Sequence, residues 1–487
     1  MKIKWCRSFE AGLVVSILAV ATGCSSNGVG EAKPCKPGCV DEKTRLECDS
    51  GGAPHEVACT QPDQPCAESV CNAGTCETRA AQGASCGGGE GTCNAAYACL
   101  GPNVQLTAIR QHTCLTDAEG RLWCWGGNGR GELGDGTQQD RGTPVPVRGL
   151  SGKVRSATAG YAHTCALMTT GEAYCWGDNT GGQVSADSAT NPVLEPMLVP
   201  SPVAFTSIIA GQGQTCGITG DEEVYCWGNT SAGQCGVDPS QAFEVGPTKI
   251  PGLDHVKSVQ TVKNHVCAVR SEDPTMVCWG SNLYLEDGGY VVHKLGPGAG
   301  DQSYSATPLP VDVGVPVVAI GMGYESTYAV GADGSAYAWG YNGAGQLGID
   351  ATDKVIASPT RVMASPGVPF SGVIDMSRSD GSDMCAEVQG VPSPSYLCWG
   401  KDDHGELALN LDGFVRFQYP QPTVVLPAGA TGLVRGEDHG CVVVTDTTTQ
   451  IWCYGKEQWV ANGSVDPQQD QKTPAPITWD TTAGPPP

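Results

Sequence analysis

The stretch His163-Thr-Cys-Ala-Leu, followed ten residues on by Ala173-Tyr-Cys-Trp-Gly-Asp-Asn179, decides the fold of this 487-residue chain. Similar stretches recur through the sequence, and each ends on an aromatic anchor. The anchors are Trp125, Trp176, Trp227, Trp279, Trp339, Trp399 and Tyr454, spaced 51 to 60 residues apart. A period of this size, with short alternating strands and glycine-rich turns, is typical of a β-propeller. We therefore expect an all-β, seven-bladed propeller over residues 101–487.

The composition fits a chain of many short strands. The sequence has 67 glycines and 34 prolines, and charged residues make up only 16% of it. The formal net charge of −23 argues against nucleic acid as a partner, because phosphate binding requires clustered lysine and arginine. The same acidity disfavours adhesion to anionic lipid and suits a protein that stays dissolved outside the cell.

Short turns after the aromatic anchors carry a family resemblance. They read Gly131-Glu-Leu-Gly134, Gly345-Gln-Leu-Gly348 and Gly405-Glu-Leu407. Together with the anchors they resemble the RCC1 (regulator of chromosome condensation) repeats of seven-bladed propellers, over roughly residues 104–480. Val184 and Cys235 replace the leucine of this turn, and we expect units four and seven to lack the turn. The resemblance implies the fold, and guanine nucleotide exchange on a small GTPase is the family's best-known activity.

A strand containing prolines follows most units, as in Thr143-Pro-Val-Pro-Val147 and Thr307-Pro-Leu-Pro-Val311. No such strand precedes unit one, whereas Thr473-Pro-Ala-Pro-Ile477 follows unit seven. We expect this last strand to complete the first blade. That arrangement would close the ring and remove two open sheet edges.

Pairs of cysteines flank a hairpin turn in six of the seven units. Opposed residues on antiparallel strands lie close enough for a disulfide to join them. Unit five has Tyr328 and Ala338 in the two positions, and this joint loss supports the pairing. Cys235 is left over in the leucine position of the turn, where a buried, inert thiol is expected. The predicted disulfides are Cys114–Cys124, Cys165–Cys175, Cys216–Cys226, Cys267–Cys278, Cys385–Cys398 and Cys441–Cys453.

Residues 1–23 are typical of a bacterial lipoprotein signal peptide. A positive start precedes an apolar run, Ala11 to Ala21, that is too short to span a bilayer. The run leads into Thr-Gly-Cys24 and resembles a lipobox, whose cysteine is lipid-modified after cleavage. We expect residues 24–34 to be a tether held to the membrane by lipid on Cys24, in the outer membrane of a Gram-negative bacterium. An ordinary cleaved signal peptide is the alternative.

Residues 35–100 form a separate segment rich in cysteine, with few large apolar residues. Such a segment cannot build a core from side chains, so five disulfides of undetermined connectivity are expected. Zinc is the alternative, and the spacing disfavours it because no Cys-x-x-Cys pair occurs. The cysteines are Cys35, Cys39, Cys48, Cys59, Cys66, Cys71, Cys76, Cys86, Cys93 and Cys99.

The sequence contains none of the common catalytic, nucleotide-binding or metal-binding motifs that we sought. The chain has no nucleophile elbow, Walker loop, zinc-protease motif or EF-hand loop. Four of its eight histidines, His112, His163, His265 and His439, recur at one position two residues before a cysteine. A residue that recurs from blade to blade serves the blade, so we assign these histidines and the repeated tryptophans to packing. We expect no catalytic residue, no metal and no cofactor.

Specificity should then lie in what does not repeat. The loop after the anchor of unit four is the longest departure, and aromatic residues on a rigidly held loop suit protein or sugar recognition. A merely variable loop is the alternative. The candidate binding residues in this loop are Tyr284, Tyr290, His293, Lys294 and Tyr304.

The sequence predicts a cell-envelope lipoprotein whose propeller binds a protein or a glycan without catalysis. One alternative is a propeller enzyme acting on an envelope or environmental polysaccharide. A guanine nucleotide exchange factor is less favoured, since the export signal separates the chain from a small GTPase.

Overall fold

The structure, a computed structural model, describes strands within residues 38–100 and then the chain from 104 to 479. The described part omits residues 187–188, 243, 285–289, 390–394, 410–414, 423–425, 446–448 and 457–469. The expected signal peptide, Cys24 and the tether lie outside the described residues. The disulfides expected in residues 35–100 concern side chains that also lie outside the description.

The cysteine-rich segment contains eight short strands in three small antiparallel sheets, ordered β1-β2-β3, β4-β5 and β6-β7-β8. Cys93 and Cys99 lie opposite each other in the last of these sheets. The strands are β1 (Gly38–Asp41), β2 (Thr44–Cys48), β3 (Pro54–Ala58), β4 (Ala67–Asn72), β5 (Thr75–Ala80), β6 (Ser85–Cys86), β7 (Gly91–Cys93) and β8 (Cys99–Leu100).

Seven four-stranded antiparallel sheets follow, each made from consecutive strands, and they confirm the expected all-β propeller. Blades one to three are β9 (Gln105–Ile109), β10 (His112–Thr116), β11 (Leu122–Gly126), β12 (Arg141–Pro146); β13 (Val154–Ala159), β14 (His163–Met168), β15 (Ala173–Gly177), β16 (Val193–Leu198); and β17 (Phe205–Ala210), β18 (Gln214–Thr219), β19 (Val224–Asn229), β20 (Glu244–Lys249).

Blade four is β21 (Val256–Val262), β22 (His265–Arg270), β23 (Met276–Ser281) and β26 (Tyr304–Val311), with the insertion strands β24 (Leu283–Tyr284) and β25 (Tyr290–Val291) and a 3-10 turn over Pro297–Ala299. Blade five is β27 (Val317–Met322), β28 (Ser326–Gly331), β29 (Ala336–Tyr341) and β30 (Val355–Arg361). The hairpin β31 (Met363–Ser365) and β32 (Val368–Pro369) leads to blade six.

Blade six is β33 (Val373–Met376), β34 (Asp383–Val388), β35 (Ser395–Asp402) and β36 (Val415–Pro422), and blade seven is β37 (Ala430–Arg435), β38 (His439–Thr445), β39 (Thr449–Gly455) and β40 (Gln471–Pro476). No helix among the described residues is long and apolar enough to cross a membrane.

The apolar core lies between the blades. The anchor Trp176 of blade two is fully buried in one cluster with Leu133 and Val147 of blade one. Its indole N–H also donates to the carbonyl oxygen of Glu132, at 2.7 Å. Burying such a ring is among the largest apolar contributions a single side chain makes. Four further anchors repeat this bond to the preceding blade: Trp227 to Gln183 (3.2 Å), Trp279 to Gln234 (2.9 Å), Trp339 to Lys294 (3.0 Å) and Trp399 to Gln346 (2.7 Å).

The expected closure by strand exchange is wrong. The proline-containing strand β12 pairs with β11 of its own blade, and β40 pairs with β39 of blade seven. In every blade the outer strand is therefore the fourth consecutive strand of the same repeat, and no strand is left to complete another blade. The ring closes instead through side-by-side packing of β37 on β9 and a hydrogen bond between His439 Nε2 and Thr113 Oγ1, at 2.8 Å.

The turn that unit four was expected to lack is present. It runs through His293-Lys-Leu-Gly296, where the Gly296 N–H donates to the His293 carbonyl, at 2.9 Å. Leu295 is fully buried, and its N–H donates to Asn282 Oδ1 as the N–H of Leu133 donates to Asn128. The sequence hid this turn because His293 adopts the left-handed conformation, with φ of 55°, that glycine adopts in blades one, two, three, five and six. In unit seven the corresponding residues, 457–469, lie outside the description.

The six predicted propeller disulfides are confirmed. Each joins directly opposed residues of the second and third strands of a blade, with Cα atoms 4.0 to 4.1 Å apart. In blade five Tyr328 lies opposite Ala338, and both are buried. The Tyr328 hydroxyl donates to the Gln346 carbonyl, at 2.6 Å, so a hydrogen bond to the turn replaces the covalent link.

Candidate binding face at the channel mouth

The strand order creates one face on which loops converge. Because strands in each blade alternate in direction, the turn between the first and second strands and the loop between the third and fourth emerge at the same end. The first strands pack beside one another around the central channel. We call this end the tip face and define it by the seven residues at the hairpin tips: Arg110, Tyr161, Gln212, Lys263, Tyr324, Gly381 and Glu437.

Two residues after each tip lies the repeated histidine position, which belongs to the frame. His112 Nε2 lies 2.9 Å from Thr164 Oγ1 of the next blade, and His163 makes the same contact to Thr215. Burial lowers the pKa of His112 to about 3 and that of His163 to about 4. These imidazoles are therefore neutral at physiological pH and connect neighbouring blades.

The tips are held in place by their neighbours. Main-chain hydrogen bonds connect consecutive tips at four of the seven junctions. They run from Tyr161 N to Gly211 O (3.0 Å), Gln212 N to Lys263 O (3.1 Å), Tyr324 N to Gly381 O (3.4 Å) and Glu437 N to Arg110 O (2.9 Å).

Cationic side chains add to this network. The Arg110 guanidinium lies 3.7 Å from the centre of the Tyr161 ring, and Lys263 Nζ lies 3.1 Å from the centre of the Tyr324 ring. Such contacts are attractive because the ring face is negative. The tip face is thus a rigid rim whose side chains differ from blade to blade.

Arg378 crosses the channel beneath this rim. It follows β33 of blade six, and its guanidinium donates to the carbonyls of Ala159 (2.8 Å), Ala210 (2.6 Å) and Thr261 (3.3 Å). Those carbonyls belong to blades two, three and four, on the far side of the ring. Burial lowers the pKa of Arg378 to about 10, so the bridging group remains charged at neutral pH. The sequence analysis missed this residue.

Two cavities open among the described residues of the tip face, and the larger of these two has a volume of about 350 Å³. Tips of blades one to three line it together with third-to-fourth-strand loops, including Arg130, Asp178 and Asn229. Within the described chain, Asp178 Oδ1 and Gln212 Oε1 are buried without a hydrogen-bond partner. The lining is therefore polar and has hydrogen-bonding capacity available to a ligand.

The smaller cavity has a volume of about 210 Å³ and lies among the tips of blades five to seven. It is lined by Tyr324, Asp380, Gly381, Ser382, Lys401, Glu437 and Asp438. A Cβ atom at Gly381 would lie 2.8 Å from the carbonyl oxygen of Glu437. The tip of blade six therefore cannot carry a side chain, and the rim is open at this point.

The residues expected to bind a partner are only partly described by the structure. Tyr284 and Tyr290 pair across β24 and β25, while their side chains and residues 285–289 lie outside the description. His293 belongs to the turn, and its Nε2 lies 3.9 Å from Asp301 Oδ1. Tyr304 is half-buried on β26, opposite Ser281.

Lys294 must be removed from the expected binding set. Its side chain is only 1% exposed and pairs with Glu325, which is 2% exposed. The Nζ atom also donates to the carbonyl of Leu283, at 3.0 Å. Lys294 occupies the turn position held by Glu132 or glutamine in other blades, and it serves the joint to Trp339.

Two carboxyls with raised pKa values are structural. Burial raises the pKa of Glu132 and of Glu406 to about 7. Each side chain accepts a hydrogen bond from the backbone N–H two residues earlier, and Gln183, Gln234 and Gln346 do the same in their own turns. Because glutamine makes the same hydrogen bond in the other turns, holding the turn does not require a proton-transferring group.

The free cysteine is buried, and the described residues form no metal-binding cluster. Cys235 is a buried free thiol whose Sγ contacts the carbonyl of Asn229, at 3.2 Å, and burial raises its pKa. In the part of the chain that the structure describes, no cluster of three or more histidine, cysteine, aspartate or glutamate residues is arranged to hold a metal ion.

The fold and the repeated joints define a seven-bladed β-propeller. The family model described as "Regulator of chromosome condensation (RCC1) repeat" matches residues 119–167, 221–269 and 333–380. A second model of the same repeat matches residues 154–183. The chain therefore contains RCC1 repeats and folds as a seven-bladed β-propeller.

Similar proteins include the human E3 ubiquitin-protein ligase HERC2, 29% identical over 54% of this chain and 5% of the relative. The ultraviolet-B receptor UVR8 of Arabidopsis thaliana is 26% identical over 50% of this chain and 55% of the relative. The chain thus spans about half or less of the length of these relatives. The crystal structure of human WBSCR16 matches with a TM-score of 0.60 and 19% identity, covering 74% of this chain and 94% of the other. That likeness concerns the fold alone.

Proposed function

We propose that the propeller is a binding module that recognises a protein or a glycan through the tip face. One observation carries the proposal. The residue at the hairpin tip differs in charge and size from blade to blade, whereas the residue two positions later connects neighbouring blades. Arginine, tyrosine, glutamine, lysine, glycine and glutamate all occur at the tips. A rigid scaffold that presents different side chains at equivalent points is how propellers and other repeat folds form specific surfaces.

The blade-four insertion lies on the same face. It connects β23 to β26, which are third and fourth strands, so it emerges at the tip end. We propose that Tyr284, Tyr290, His293 and Tyr304 extend the binding surface beyond the rim. The aromatic residues there and the polar cavities at the tips together suit a partner with both apolar and hydrogen-bonding groups.

An enzyme acting on polysaccharide is the competing function. It requires two converging carboxyls. Glu132 and Glu406, whose pKa values are raised to about 7, belong to the frame, so Asp380 and Glu437 at the smaller cavity are the pair that such an enzyme would have to use. The roles of HERC2 and UVR8, and guanine nucleotide exchange, are not carried over to this chain. It spans only part of those relatives, and a shared fold does not transfer an activity.

We further propose that Cys24 is lipid-modified and anchors the protein in the cell envelope. The six propeller disulfides support an oxidising compartment, since such bonds are rare where thiols are kept reduced. Metabolic labelling with an alkyne fatty acid tests the anchor. The wild-type chain is expected to take up label and remain with membranes, whereas Cys24→Ser is expected to lose both properties. Label on the serine variant would contradict the proposal.

The binding function is tested with residues 25–487 as bait against envelope and secreted fractions of the source cells. We expect a saturable partner that is lost when Arg110, Gln212 and Glu437 are replaced by alanine together. The matched control replaces three exposed residues at the opposite end, Lys153, Asp221 and Glu272. Equal capture by both variants would place binding elsewhere. Release of soluble sugar from insoluble glycans, without stable capture, would favour the enzyme.

A further inference from the structure

Asp380 is a buried acid without a full set of partners. It lies in the blade-six tip, one residue before Gly381, and its side chain is only 4% exposed. Its Oδ1 atom has no hydrogen-bond partner within the described residues. A buried carboxylate oxygen left in this state destabilises the folded protein, because water is removed and nothing replaces it. Its presence in the wall of the smaller cavity therefore calls for an explanation.

Neighbouring acids increase the local negative charge. Glu437 and Asp438 line the same cavity. Burial raises the pKa of Asp380 to about 7; the charges of Lys263 and Arg110 oppose this rise, and the charge of Glu437 adds to it. Burial and the charge of Asp438 likewise raise the pKa of Glu437. Both carboxyls are thus unfavourably placed for carrying their charges.

The nearby positive side chains make their closest contacts with other groups, although the charges of Lys263 and Arg110 still lower the pKa of Asp380. Arg378 donates to three carbonyls across the channel, and Lys263 lies over the ring of Tyr324. Arg110 stacks on Tyr161 and approaches Glu437 no closer than 3.9 Å.

The other charged residues at the cavity have close partners. Lys401 Nζ lies 2.7 Å from Asp403, and Lys456 Nζ lies 3.3 Å from Asp438. Asp380 therefore remains under-compensated, and Glu437 lies beside it at the cavity.

We propose that the smaller cavity binds one cationic group, the ammonium or guanidinium of a partner's lysine or arginine side chain, between Asp380 and Glu437. This inference rests on the proposed function of the tip face and names the chemistry of its partner. The cation would supply the missing partner of Asp380 Oδ1 and offset the repulsion between the two acids. The Tyr324 ring in the wall would contact the aliphatic stem.

The dimensions favour a single side chain. A volume of about 210 Å³ is below the ~300 Å³ at which sites begin to enclose drug-sized ligands. A divalent metal is the less favoured cation, because the described residues provide no arrangement of three ligands. An anion is disfavoured by the two acids.

Saturation-transfer NMR on residues 25–487 tests the proposal with small probes. The probes are N-acetyl-lysine methylamide, its arginine counterpart and the neutral N-acetyl-norleucine methylamide. We expect saturation transfer to a cationic probe and none to norleucine. Asp380→Asn should weaken binding of that probe at least tenfold, whereas Asp178→Asn, at the larger cavity, should leave it unchanged. Equal signals from lysine and norleucine, or undiminished binding to the Asp380 variant, would overturn the proposal.

The melting temperatures of the same variants distinguish lost binding from misfolding. If Asp380 is retained for binding, Asp380→Asn should melt at the wild-type temperature or above it, because it removes an uncompensated buried charge. A lower melting temperature together with lost probe binding would assign Asp380 to structure and contradict the proposal. Calcium chloride provides a further arm: displacement of the probe by calcium at millimolar concentration in the wild type alone would make this a metal site.

Failure of this inference is distinguishable from failure of the tip face as a binding surface. If the Asp380 variant still captures the partner while the probes do not bind, the proposed function stands and the basic side chain is refuted. If the alanine variant at three tips also retains its partner, the tip face itself is refuted.

Discussion

The joint between blades one and two differs in chemistry from the joint between blades six and seven, although both hold adjacent sheets in the same relation. In the first, His112 contacts Thr164 and the Trp176 indole donates to Glu132. In the second, Asp383 and Arg435 form a fully buried ion pair. Tyr454 takes the place of the tryptophan, and Arg435 Nη1 donates to its hydroxyl oxygen, at 3.3 Å.

Four positions change together at the second joint. Gly440 stands where Thr164 stands in blade two, so no hydroxyl is available for a histidine. A Cβ at Gly440 would lie 2.5 Å from the Tyr454 hydroxyl oxygen, which explains why the threonine cannot be kept beside this tyrosine. Both joints therefore contain a polar connection, and at the second joint its residues differ together from those of the first.

Removal of Arg435 should have the largest effect on stability. Arg435→Met leaves Asp383 buried without its partner, and breaking such a pair typically costs about 3–5 kcal/mol. Urea unfolding of residues 25–487 measures this loss. The double variant Asp383→Asn/Arg435→Met should recover most of it, because no buried charge remains. A double variant as unstable as the single one would show that the unpaired charge of Asp383 is not the cause of the lost stability.

Removal of the threonine at the first joint should have a smaller effect. Thr164→Val keeps the volume and leaves His112 Nε2 without its partner, for an expected loss of about 2 kcal/mol. The control is Thr170→Val, at an exposed threonine of the same blade, which should change the free energy of unfolding by less than ~0.5 kcal/mol. If both variants change the free energy of unfolding equally, the hydrogen bond between His112 and Thr164 does not stabilise this joint.

Replacement of a frame histidine by glutamine should have the smallest effect at neutral pH. Gln214 occupies the same position in blade three and donates to Thr261 Oγ1, at 2.7 Å, so His163→Gln should cost less than ~1 kcal/mol at pH 7.

In acid, His163→Gln should become more stable than the wild type. The folded-state pKa of His163, about 4, lies below the ordinary value of 6.5, so only the unfolded chain binds a proton as the pH falls between these values. Stability from the neutral imidazole is complete above pH 6.5 and is lost toward pH 4. The glutamine variant should gain on wild type by up to ~3 kcal/mol in that window. A difference in unfolding free energy that stays constant between pH 7 and pH 4.5 would contradict the assignment.

Much of the frame could be predicted from the sequence because repeats reveal their own alignment. The anchors, the six disulfides and the structural role of the histidines follow from position within a 51-to-60-residue period. The turn at His293 was missed because a non-glycine residue adopts a conformation usual for glycine. Ring closure was mispredicted because a linear sequence does not show to which side the proline-containing strand pairs.

The candidate site was harder to predict for the same reason. The tips are defined by what fails to repeat, and Asp380 and Arg378 are single departures with no second copy to mark them. Aligning the units on the histidine position would have revealed the variable position two residues earlier. It would not have shown that Lys294 is buried or that Arg378 reaches across the channel, since both depend on packing between distant blades.

The most direct test of the tip face is position-specific photocrosslinking. A benzophenone amino acid, which inserts into C–H bonds of protein or glycan, replaces Arg130, an exposed residue lining the larger cavity. The same group replaces Glu272, whose side chain is 75% exposed at the opposite end, as the matched control. After irradiation with fractions of the source cells, the account predicts a discrete adduct from position 130 and none from position 272. An adduct from position 272 alone would contradict it.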